Sequence, residues 1–312
     1  MVHDRPIEIP RDVWPVRDFL VELYRVAPPA TVWEVRRWDG SIFHNPEPGL
    51  APERAARSRL WVTDAGRIVA ATLSEGGPQI HPHVFPEAGK LLEEVVAWAE
   101  EAGFASGEED VLLHVWDHDE ATHRIALGRG YRATDAWEIV RSLRVGEPLP
   151  PVPPLPDGYL LRTTRDDPRD HDAVAELLNA AFGRTGHVGA ELATFTRSAP
   201  SFRRETDLVA EAPDGRLAAY AAVCWDTCNR HAIFEPVCTH PGHRQRGLAK
   251  ALMLEGMRRA AELGAEVIDV GTGDADPANA LYASMPFTQT YRGRFWAQAA
   301  RRSRSTSAAV SR

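Results

Sequence analysis

The chain has 312 residues with a formal net charge of −8, and 26% of its residues are charged. This length is sufficient for two domains that each bury a core. The acidic balance provides no general basic surface, so nucleic acid is a poor expected partner. The first residues lack the apolar core of a signal peptide, and no apolar run is long enough to cross a bilayer. The three cysteines fit a reducing compartment better than a disulfide framework. These features predict a cytoplasmic protein with no membrane partner.

The first 145 residues predict helices mixed with strands. Alternating apolar residues on both sides of the turn Asp64–Gly66 are typical of a hairpin. The predicted elements are a strand at Ile7–Ile9, helices at Val16–Val26 and Thr31–Trp38, the hairpin Arg59–Thr63 with Arg67–Leu73, a helix at Ala88–Ala102, a strand at Val111–Val115, a helix at Glu120–Leu127 and a strand at Trp137–Leu143.

The proline-rich stretch Gly146–Gly158 is the plainest boundary in the chain. Its prolines favour a stiff, extended spacer with no core of its own. The alternative is a proline-rich ligand for a partner protein. The sequence therefore predicts a domain at 1–145, a linker at 146–158 and a domain at 159–299. A basic tail follows at 300–312, and its run Arg301–Arg312 is predicted to be disordered.

The second half repeats the order of elements in the first. Its turn Pro213–Gly215 lies about 150 residues after the first hairpin turn, which indicates duplicated domains. Asp170 is the expected N-cap of the first helix. The predicted elements are a strand at Tyr159–Arg162, helices at Asp170–Phe182 and Ala190–Thr196, the hairpin Leu208–Ala212 with Arg216–Trp225, a strand at His231–Thr239, a helix at Leu248–Leu263, a strand at Val267–Gly271, a helix at Pro277–Met285 and a strand at Tyr291–Trp296.

A short basic loop joins the strand His231–Thr239 to the helix that begins at Leu248. The first N–H groups of a helix have no partner inside it, and the helix dipole adds positive potential there. Gly247 allows an anion to approach the backbone closely. Arg244, Arg246 and Lys250 add charge and hydrogen-bond donors. This arrangement is typical of phosphate binding.

Arg244–Ala249 also match the pattern R/Q-x-x-G-x-G/A, and Asn279 and Tyr282 follow on a later helix. In these motifs the second half resembles the GNAT superfamily of acyl-CoA N-acyltransferases. The first half resembles it only in outline, and Pro286 stands where the family usually has glycine. The resemblance implies an α/β fold of two tandem GNAT-like domains, each a mixed, mostly antiparallel sheet flanked by helices.

The resemblance also implies acetyl-CoA as co-substrate and no metal. In the family, the strand before the loop parts from its neighbour and its backbone pairs with the pantetheine arm. Asn279 is expected either to touch the pantetheine or to cap its helix. The implied cofactor-binding residues are Val237, Cys238, Thr239, Arg244, Gln245, Arg246, Gly247, Leu248, Ala249, Lys250 and Asn279.

N-acylation requires an amine that has lost its proton, a donor for the oxyanion and a proton for the leaving thiolate. Glu235 is the expected base, and the alternative for it is a surface ion pair. Tyr282 is the expected acid, and the alternative is an aromatic residue packed in the core. The Cys238 N–H is the expected oxyanion donor. Pro236 cannot donate to a ladder, so it predicts a bulge or a splay in the strand.

Two other chemistries compete for the same region. Cysteine and histidine side chains crowd it, but their spacing differs from that of usual zinc ligands. A nucleophilic Cys238 would imply an acyl-enzyme route. We expect buried apolar roles for the cysteines instead. The residues that define the metal alternative are Cys224, Cys228, His231, Cys238, His240 and His243.

The first half is expected not to bind acyl-CoA. Gln79–Pro82 resembles the end of the cofactor strand, but no glycine motif follows and Glu87 stands where the basic loop should be. The second half is therefore expected to transfer acetyl from acetyl-CoA to a primary amine of a small-molecule or peptide acceptor. The alternatives are a non-catalytic acyl-CoA sensor or scaffold, and an O-acyltransferase. The candidate acceptor-pocket residues are Asp274, Asp276, Arg292, Arg294 and Trp296.

Overall fold

A computed structural model describes residues 1–300, and the predicted disordered run Arg301–Arg312 lies outside this range. Twelve strands of the described chain form one continuous mixed sheet flanked by helices, which confirms the predicted fold class. The strands are β1 Val2–Pro6, β2 Arg59–Thr63, β3 Ile68–Leu73, β4 Gln79–Val84, β5 Asp110–Trp116, β6 Arg132–Arg144, β7 Leu160–Thr163, β8 Asp207–Glu211, β9 Leu217–Asp226, β10 His231–Thr239, β11 Val267–Thr272 and β12 Gln289–Ala299.

Helices pack on the sheet through apolar residues spaced three and four apart. In the helix that follows the basic loop, Leu248, Leu252 and Met253 are fully buried. The helices of the described chain are α1 Val13–Tyr24, α2 Val35–Phe43, α3 Pro52–Ala56, α4 Leu92–Ala105, α5 Glu120–Arg129, α6 Pro168–Phe182, α7 Gly189–Ser198, α8 Leu248–Glu262 and α9 Asp276–Ala283.

The two halves exchange their last strands. The strand order is β1-β2-β3-β4-β5-β12-β6-β11-β10-β9-β8-β7. Thus β12, from the second half, pairs with β5 of the first half, and β6, from the first half, pairs with β11 of the second. The exchanged strands also pair with each other. The linker therefore divides the sequence but does not divide the sheet.

Several predicted element boundaries differ from the structure, and three of them have a clear physical reason. The first strand lies earlier than Ile7, because its pairing partner is β2, and Ile7 instead packs into the core. The second helix begins at Val35, because Glu34 has extended backbone angles. Asp170 is not an N-cap: Asp167 caps α6 by accepting the N–H of Asp170. The Asp170 carboxylate binds the guanidinium of Arg162 at 2.7 and 2.9 Å.

The proline-rich linker runs without helix or strand. Its apolar side chains Leu149, Val152 and Leu155 pack against the core of the second half. The linker is therefore attached to that half as well as connecting the two. No helix among residues 1–300 is long and apolar enough to cross a membrane.

Strand exchange predicts that the halves remain associated when the chain is cut. A protease site inserted between the exposed residues Pro150 and Pro151 would separate them covalently. We expect the cleaved protein to elute from size-exclusion chromatography at the position of the uncut protein. The reason is that β6 and β12 find hydrogen-bond partners only in the other half, and β5 and β11 each find one of their two partner strands there. Elution as two separate folded fragments would contradict this; the uncleaved insertion variant is the control.

Candidate active site

The parallel strands β10 and β11 separate in the middle of the second half. Four residue pairs hold them together, and the last pair is Phe234 with Val270. Beyond it, β10 continues its ladder with β9, and the register shifts between Phe234 and Val237. The bulge and the splay predicted from Pro236 are therefore confirmed.

The hydrogen bonds between β9 and β10 show which backbone groups of β10 face this gap. The His240 N–H donates to a carbonyl of β9 at 2.8 Å. Because hydrogen bonding alternates along an antiparallel ladder, the Cys238 N–H faces its partner Tyr220 on β9, and the amides of Val237 and Thr239 face the gap. This orientation contradicts the prediction that the Cys238 N–H is the oxyanion donor. The amide of Val237 is better placed.

The loop between β10 and α8 turns through two residues in the left-handed region. Gln245 has φ +59° and Gly247, the N-cap of α8, has φ +76°. Within residues 1–300, the backbone N–H groups of residues 244–250 donate no hydrogen bond. Ala251 is the first to do so, to the Gly247 carbonyl at 3.0 Å. The loop thus presents a row of amide donors at a helix N-terminus, which is a suitable site for an anion.

Two of the three predicted cationic side chains are anchored beside this loop. The Arg244 guanidinium donates to the carbonyl of Ala181 at 3.2 Å, and Lys250 Nζ donates to the carbonyl of Ser284 at 3.3 Å. Each retains further N–H donors. Arg246 is exposed.

Asn279 holds the loop before its own helix. Its amide nitrogen donates to the carbonyls of Gly273 at 2.9 Å and Ala275 at 3.2 Å, and its oxygen accepts from Arg141 at 2.9 Å. The N-cap of α9 is Ala275. These contacts favour a structural role for Asn279 over contact with a ligand, although it is not the N-cap.

The gap opens into a cavity of about 880 Å³ between the two halves. Both halves supply charged and aromatic side chains to its wall. Those used below are Tyr24, Trp33, Glu34, Arg36, Arg37, Glu75, His81, His83, His114, Trp116, Glu138, His231, Glu235, Asp269 and Tyr282.

Glu235 projects into this cavity and pairs with Arg36 of the first half. Their Oε1 and Nη1 atoms are 3.2 Å apart, and the Glu235 side chain is 39% exposed. The ion-pair alternative is therefore realised, but inside the cavity instead of on the outer surface. The pair directs the Glu235 carboxylate toward the space next to the gap.

Glu34 is a second carboxylate in the cavity, which the sequence reasoning missed. Burial, together with the nearby charge of Glu235 and against the opposing charge of Arg37, raises the pKa of Glu34 to about 7. A carboxyl group with this pKa can exchange a proton near neutral pH. The sequence signal was the run Glu34–Arg37, in which three charged residues lie between two tryptophans.

Tyr282 lies on α9 at the same cavity and is 6% exposed. Burial, against the opposing charge of Arg141, raises the pKa of its phenol to about 12. The carboxylate of Glu235 contributes in the same direction. Tyr282 therefore keeps its proton at neutral pH and can donate it. It also packs in the apolar core of the second half, so both predicted roles are compatible.

A hydrogen-bonded cluster forms the base of the cavity. His231 Nε2 lies 3.0 Å from Asp269 Oδ2, and the Tyr24 hydroxyl donates to the same oxygen at 3.5 Å. Tyr24 stacks on the imidazole of His231. Burial lowers the pKa of His231, but its bond to Asp269 outweighs this and the net shift is upward. His231 is thus held in place by Asp269.

The cysteine side chains of this region differ in burial and in acidity. Burial raises the pKa of the Cys238 thiol to about 12, against thiolate chemistry at neutral pH. Cys224 is buried and Cys228 is exposed, so these two do not converge. In residues 1–300, no three or more His, Cys, Asp or Glu side chains are arranged to hold a metal ion.

The predicted acceptor-pocket residues lie elsewhere. Asp274, Asp276, Arg292, Arg294 and Trp296 are not part of the cavity wall. The last three belong to β12, which is inserted between β5 and β6, and the Arg292 guanidinium there covers the ring of Trp137 at 5.2 Å. First-half side chains take their place in the wall, because the strand exchange brings the first half against the gap.

Comparison with known proteins identifies the second half. Residues 172–287 match the sequence model of the acetyltransferase (GNAT) family. No curated protein matches the chain significantly.

Solved structures share the fold of the whole chain. A tandem GNAT protein from the clavulanic acid biosynthesis pathway has 20% identity and a TM-score of 0.68, over 97% of this chain and 100% of its own. A GCN5-related N-acetyltransferase from Sphaerobacter thermophilus has 19% identity and a TM-score of 0.62, over 96% and 95% of the two chains. An acetyltransferase from the GNAT family of Colwellia psychrerythraea has 14% identity and a TM-score of 0.60, over 95% and 100%.

The raised pKa of Glu34 predicts a pH-dependent stability. The unfolded chain releases this proton near the ordinary value of 4.5 and the folded protein near 7, so the folded state binds more protons between these values and loses stability as pH rises through them. The measured quantity is the Tm of Glu34→Gln minus the Tm of the wild type. We expect this difference to be about 2 °C or more larger at pH 8 than at pH 5. Calorimetry checks this. Glu101→Gln, an exposed site on α4, is the control, and equal differences at both pH values would contradict it.

Proposed function

Residues 172–287 form a GNAT acetyltransferase domain, and on this premise we propose that the protein transfers acetyl from acetyl-CoA to a primary amine by direct attack. The observation that carries this proposal is the order of three features along β10 and the loop after it. These are a cavity that holds Glu235 and Tyr282, the gap beside β10, and an amide-lined loop at the start of α8.

The loop and the gap are suited to the two polar parts of the acyl-CoA chain. The pyrophosphate would accept hydrogen bonds from the amides of residues 244–250, with Arg244, Arg246 and Lys250 close by. The amide groups of the pantetheine arm would pair with the backbone of Val237 and Thr239. Of these groups, the N–H of Val237 lies at the bulge and is our candidate donor to the thioester carbonyl oxygen.

The cavity is suited to an amine acceptor. Near Arg36 and Arg37, the carboxylates of the wall include those of Glu34, Glu75, Glu138 and Glu235. This excess of negative charge favours a protonated amine over an alcohol, so it supports N-acylation over O-acylation.

Glu235 and Glu34 are placed to take the proton of the bound ammonium group. Glu235 is the first residue of β10 after its last pair with β11 and lines the cavity, and Glu34 exchanges a proton near neutral pH. We propose that Glu235 accepts the proton and that Glu34 shares this proton, because the charge of Glu235 affects the pKa of Glu34. The neutral amine nitrogen then attacks the thioester carbonyl carbon.

Tyr282 completes the reaction. When the carbon–sulfur bond breaks, the departing thiolate takes the phenolic proton, and the Tyr282 oxygen recovers a proton from the medium or from the newly acylated nitrogen. The high pKa of Tyr282 keeps the phenol protonated until that moment.

The direct test measures thiol release from acetyl-CoA in the presence of a panel of primary amines, together with calorimetric acetyl-CoA binding. Amine-dependent thiol release and formation of the acetylated amine would support the proposal. Tight acetyl-CoA binding without turnover for any amine would instead support the alternative, a non-catalytic acyl-CoA sensor or scaffold.

Gly247→Ala tests the loop. An alanine at φ +76° strains the turn that orients the amides, although its methyl group meets no atom within 4 Å. We expect the acetyl-CoA affinity to fall about tenfold, by calorimetry. Gly215→Ala is a matched control: φ is +81°, nothing lies within 4 Å, and the site is the distant turn between β8 and β9. Equal losses of affinity in both variants would contradict the role of the loop.

Glu235→Gln and Tyr282→Phe test the chemistry. Each is expected to lower kcat about 100-fold or more, because each removes a group that transfers a proton. Acetyl-CoA affinity, measured by calorimetry, should change little. The matched controls are Glu266→Gln, which is exposed beside Arg230, and Tyr291→Phe, whose hydroxyl bonds Gln289. An unchanged kcat in both test variants would refute the assigned roles.

A further inference from the structure

The first half contains a gap equivalent to the one in the second half. Strands β4 and β5 are parallel and pair only at Gln79–Leu112 and Ile80–Leu113. Beyond Ile80, β4 continues with β3 and β5 continues with β12. The strands β4 and β5 thus part after their last pair, as β10 and β11 part after Phe234.

Residue by residue, the two gaps carry different chemistry. Counted from the last parallel pair, His81 and Pro82 take the places of Glu235 and Pro236. The segment after β4 begins a 3₁₀ turn at Pro86 and lacks a glycine loop. This gap therefore keeps its shape without the features that hold a pyrophosphate.

Imidazole and indole groups with no hydrogen-bond partner line the first-half gap. In the described chain, His81 Nε2, both ring nitrogens of His83, His114 Nε2 and Trp33 Nε1 are buried and unpaired. Three of these side chains are nearly inaccessible: Trp33 is 4% exposed, His83 3% and His81 8%. All four face the cavity that also holds Glu235. Buried polar groups are normally paired, so this cluster indicates a place for a polar ligand.

The imidazoles are neutral at physiological pH. Burial, and then the charge of Arg37, lowers the pKa of His83 to about 3 and that of His114 to about 4. The same causes hold the pKa of His81 well below its usual range. Each neutral ring offers one donor and one acceptor nitrogen, and the indole adds a donor.

The surrounding charges restrict what this gap accepts. Glu75 lies 3.9 Å from His81, and Glu138 lies 3.5 Å from His114. Both carboxylates also approach the Arg37 guanidinium, at 3.7 and 4.0 Å. A carboxylate on the ligand would face these two acids, and an ammonium group, which only donates, could not accept from the imidazole and indole N–H groups. A hydroxyl group both donates and accepts and carries no charge.

Aromatic rings give the gap flat walls. The ring centroid of His114 lies 4.4 Å from that of Trp116 and 4.6 Å from that of Phe295, on which the His114 ring stacks. The ring centroids of Trp33 and His81 are 5.0 Å apart. Such rings fix the unpaired nitrogens in position.

We propose that the first-half gap binds the end of the acceptor remote from its amine, and that this end carries hydroxyl groups. The inference rests on the proposed function, because it assigns a binding site to the end of the substrate that is opposite the amine at Glu235. It makes the first half a specificity element, with His81, His83, His114 and Trp33 as its hydrogen-bonding groups.

The test compares two six-carbon primary amines, glucamine and hexylamine, on the full-length protein. Glucamine carries hydroxyl groups along the chain, and hexylamine carries none. Binding is measured by calorimetry in the presence of CoA, which permits no acetyl transfer, and turnover is measured as thiol release from acetyl-CoA. We expect glucamine to bind about tenfold more tightly than hexylamine, and to show a correspondingly lower KM.

Variants at one imidazole locate the preference. His83→Leu removes both nitrogens and is expected to abolish the preference for glucamine, measured as the ratio of the affinities for glucamine and hexylamine. His83→Gln keeps a donor and an acceptor and should retain part of it. His123→Leu, an exposed histidine on α5 outside the cavity, is the control.

Equal binding of both amines to the wild type, or an unchanged preference in His83→Leu, would overturn the inference. The wild-type comparison decides this even if His83→Leu does not fold. Absence of thiol release with every amine would refute the proposed function, whereas the calorimetric preference for glucamine decides the present inference separately.

Discussion

The exchange of the last strands is the constraint on which the rest of the structure depends. A strand in the middle of a sheet must pair on both edges, because unpaired buried backbone groups cost free energy. Here β5 and β11 satisfy one edge only with a strand from the other half. The halves are therefore parts of one sheet, and the cavity lies between two parts of that sheet instead of between two separate sheets.

Side chains reinforce this arrangement. Asp39 on α2 is fully buried, and it accepts the guanidinium of Arg17 at 3.0 Å and the N–H of Ser201 in the second half at 3.0 Å. Since α2 is held to the second half in this way, its neighbouring residues Glu34 and Arg36 face Glu235. The first half thus contributes directly to the chemical environment of the second.

The cavity shows how one fold can produce two kinds of binding surface. In each half, two parallel strands separate after the last residue pair that joins them. In the second half the opening is followed by a glycine loop with available amides, whereas in the first half it is lined by imidazoles. The two gaps share a geometry, and the different residues at equivalent positions, such as Glu235 and His81, give them different chemistry.

Local features were readable from the sequence. Periodicity and turn chemistry were sufficient to locate the hairpins, the strand that contains Pro236 and the loop with Gly247, because these features depend on neighbours in the chain. Element ends were less accurate, as for Asp170, because competing caps lie within a few residues of each other. The family resemblance of the second half followed from the same local motifs.

The partners of β6 and β12 were decided by the tertiary structure alone. Both strands come last in their halves, and nothing in an alternating pattern specifies which neighbour a strand will choose. The meeting of Glu34 and Arg36 with Glu235 depends on that choice, because the residues lie in different halves of the sequence. The sequence by itself therefore determined where the candidate phosphate-binding loop and the candidate acid and base lie along the chain. The charges and imidazoles that surround them were fixed only when long-range pairing brought the two halves into one sheet.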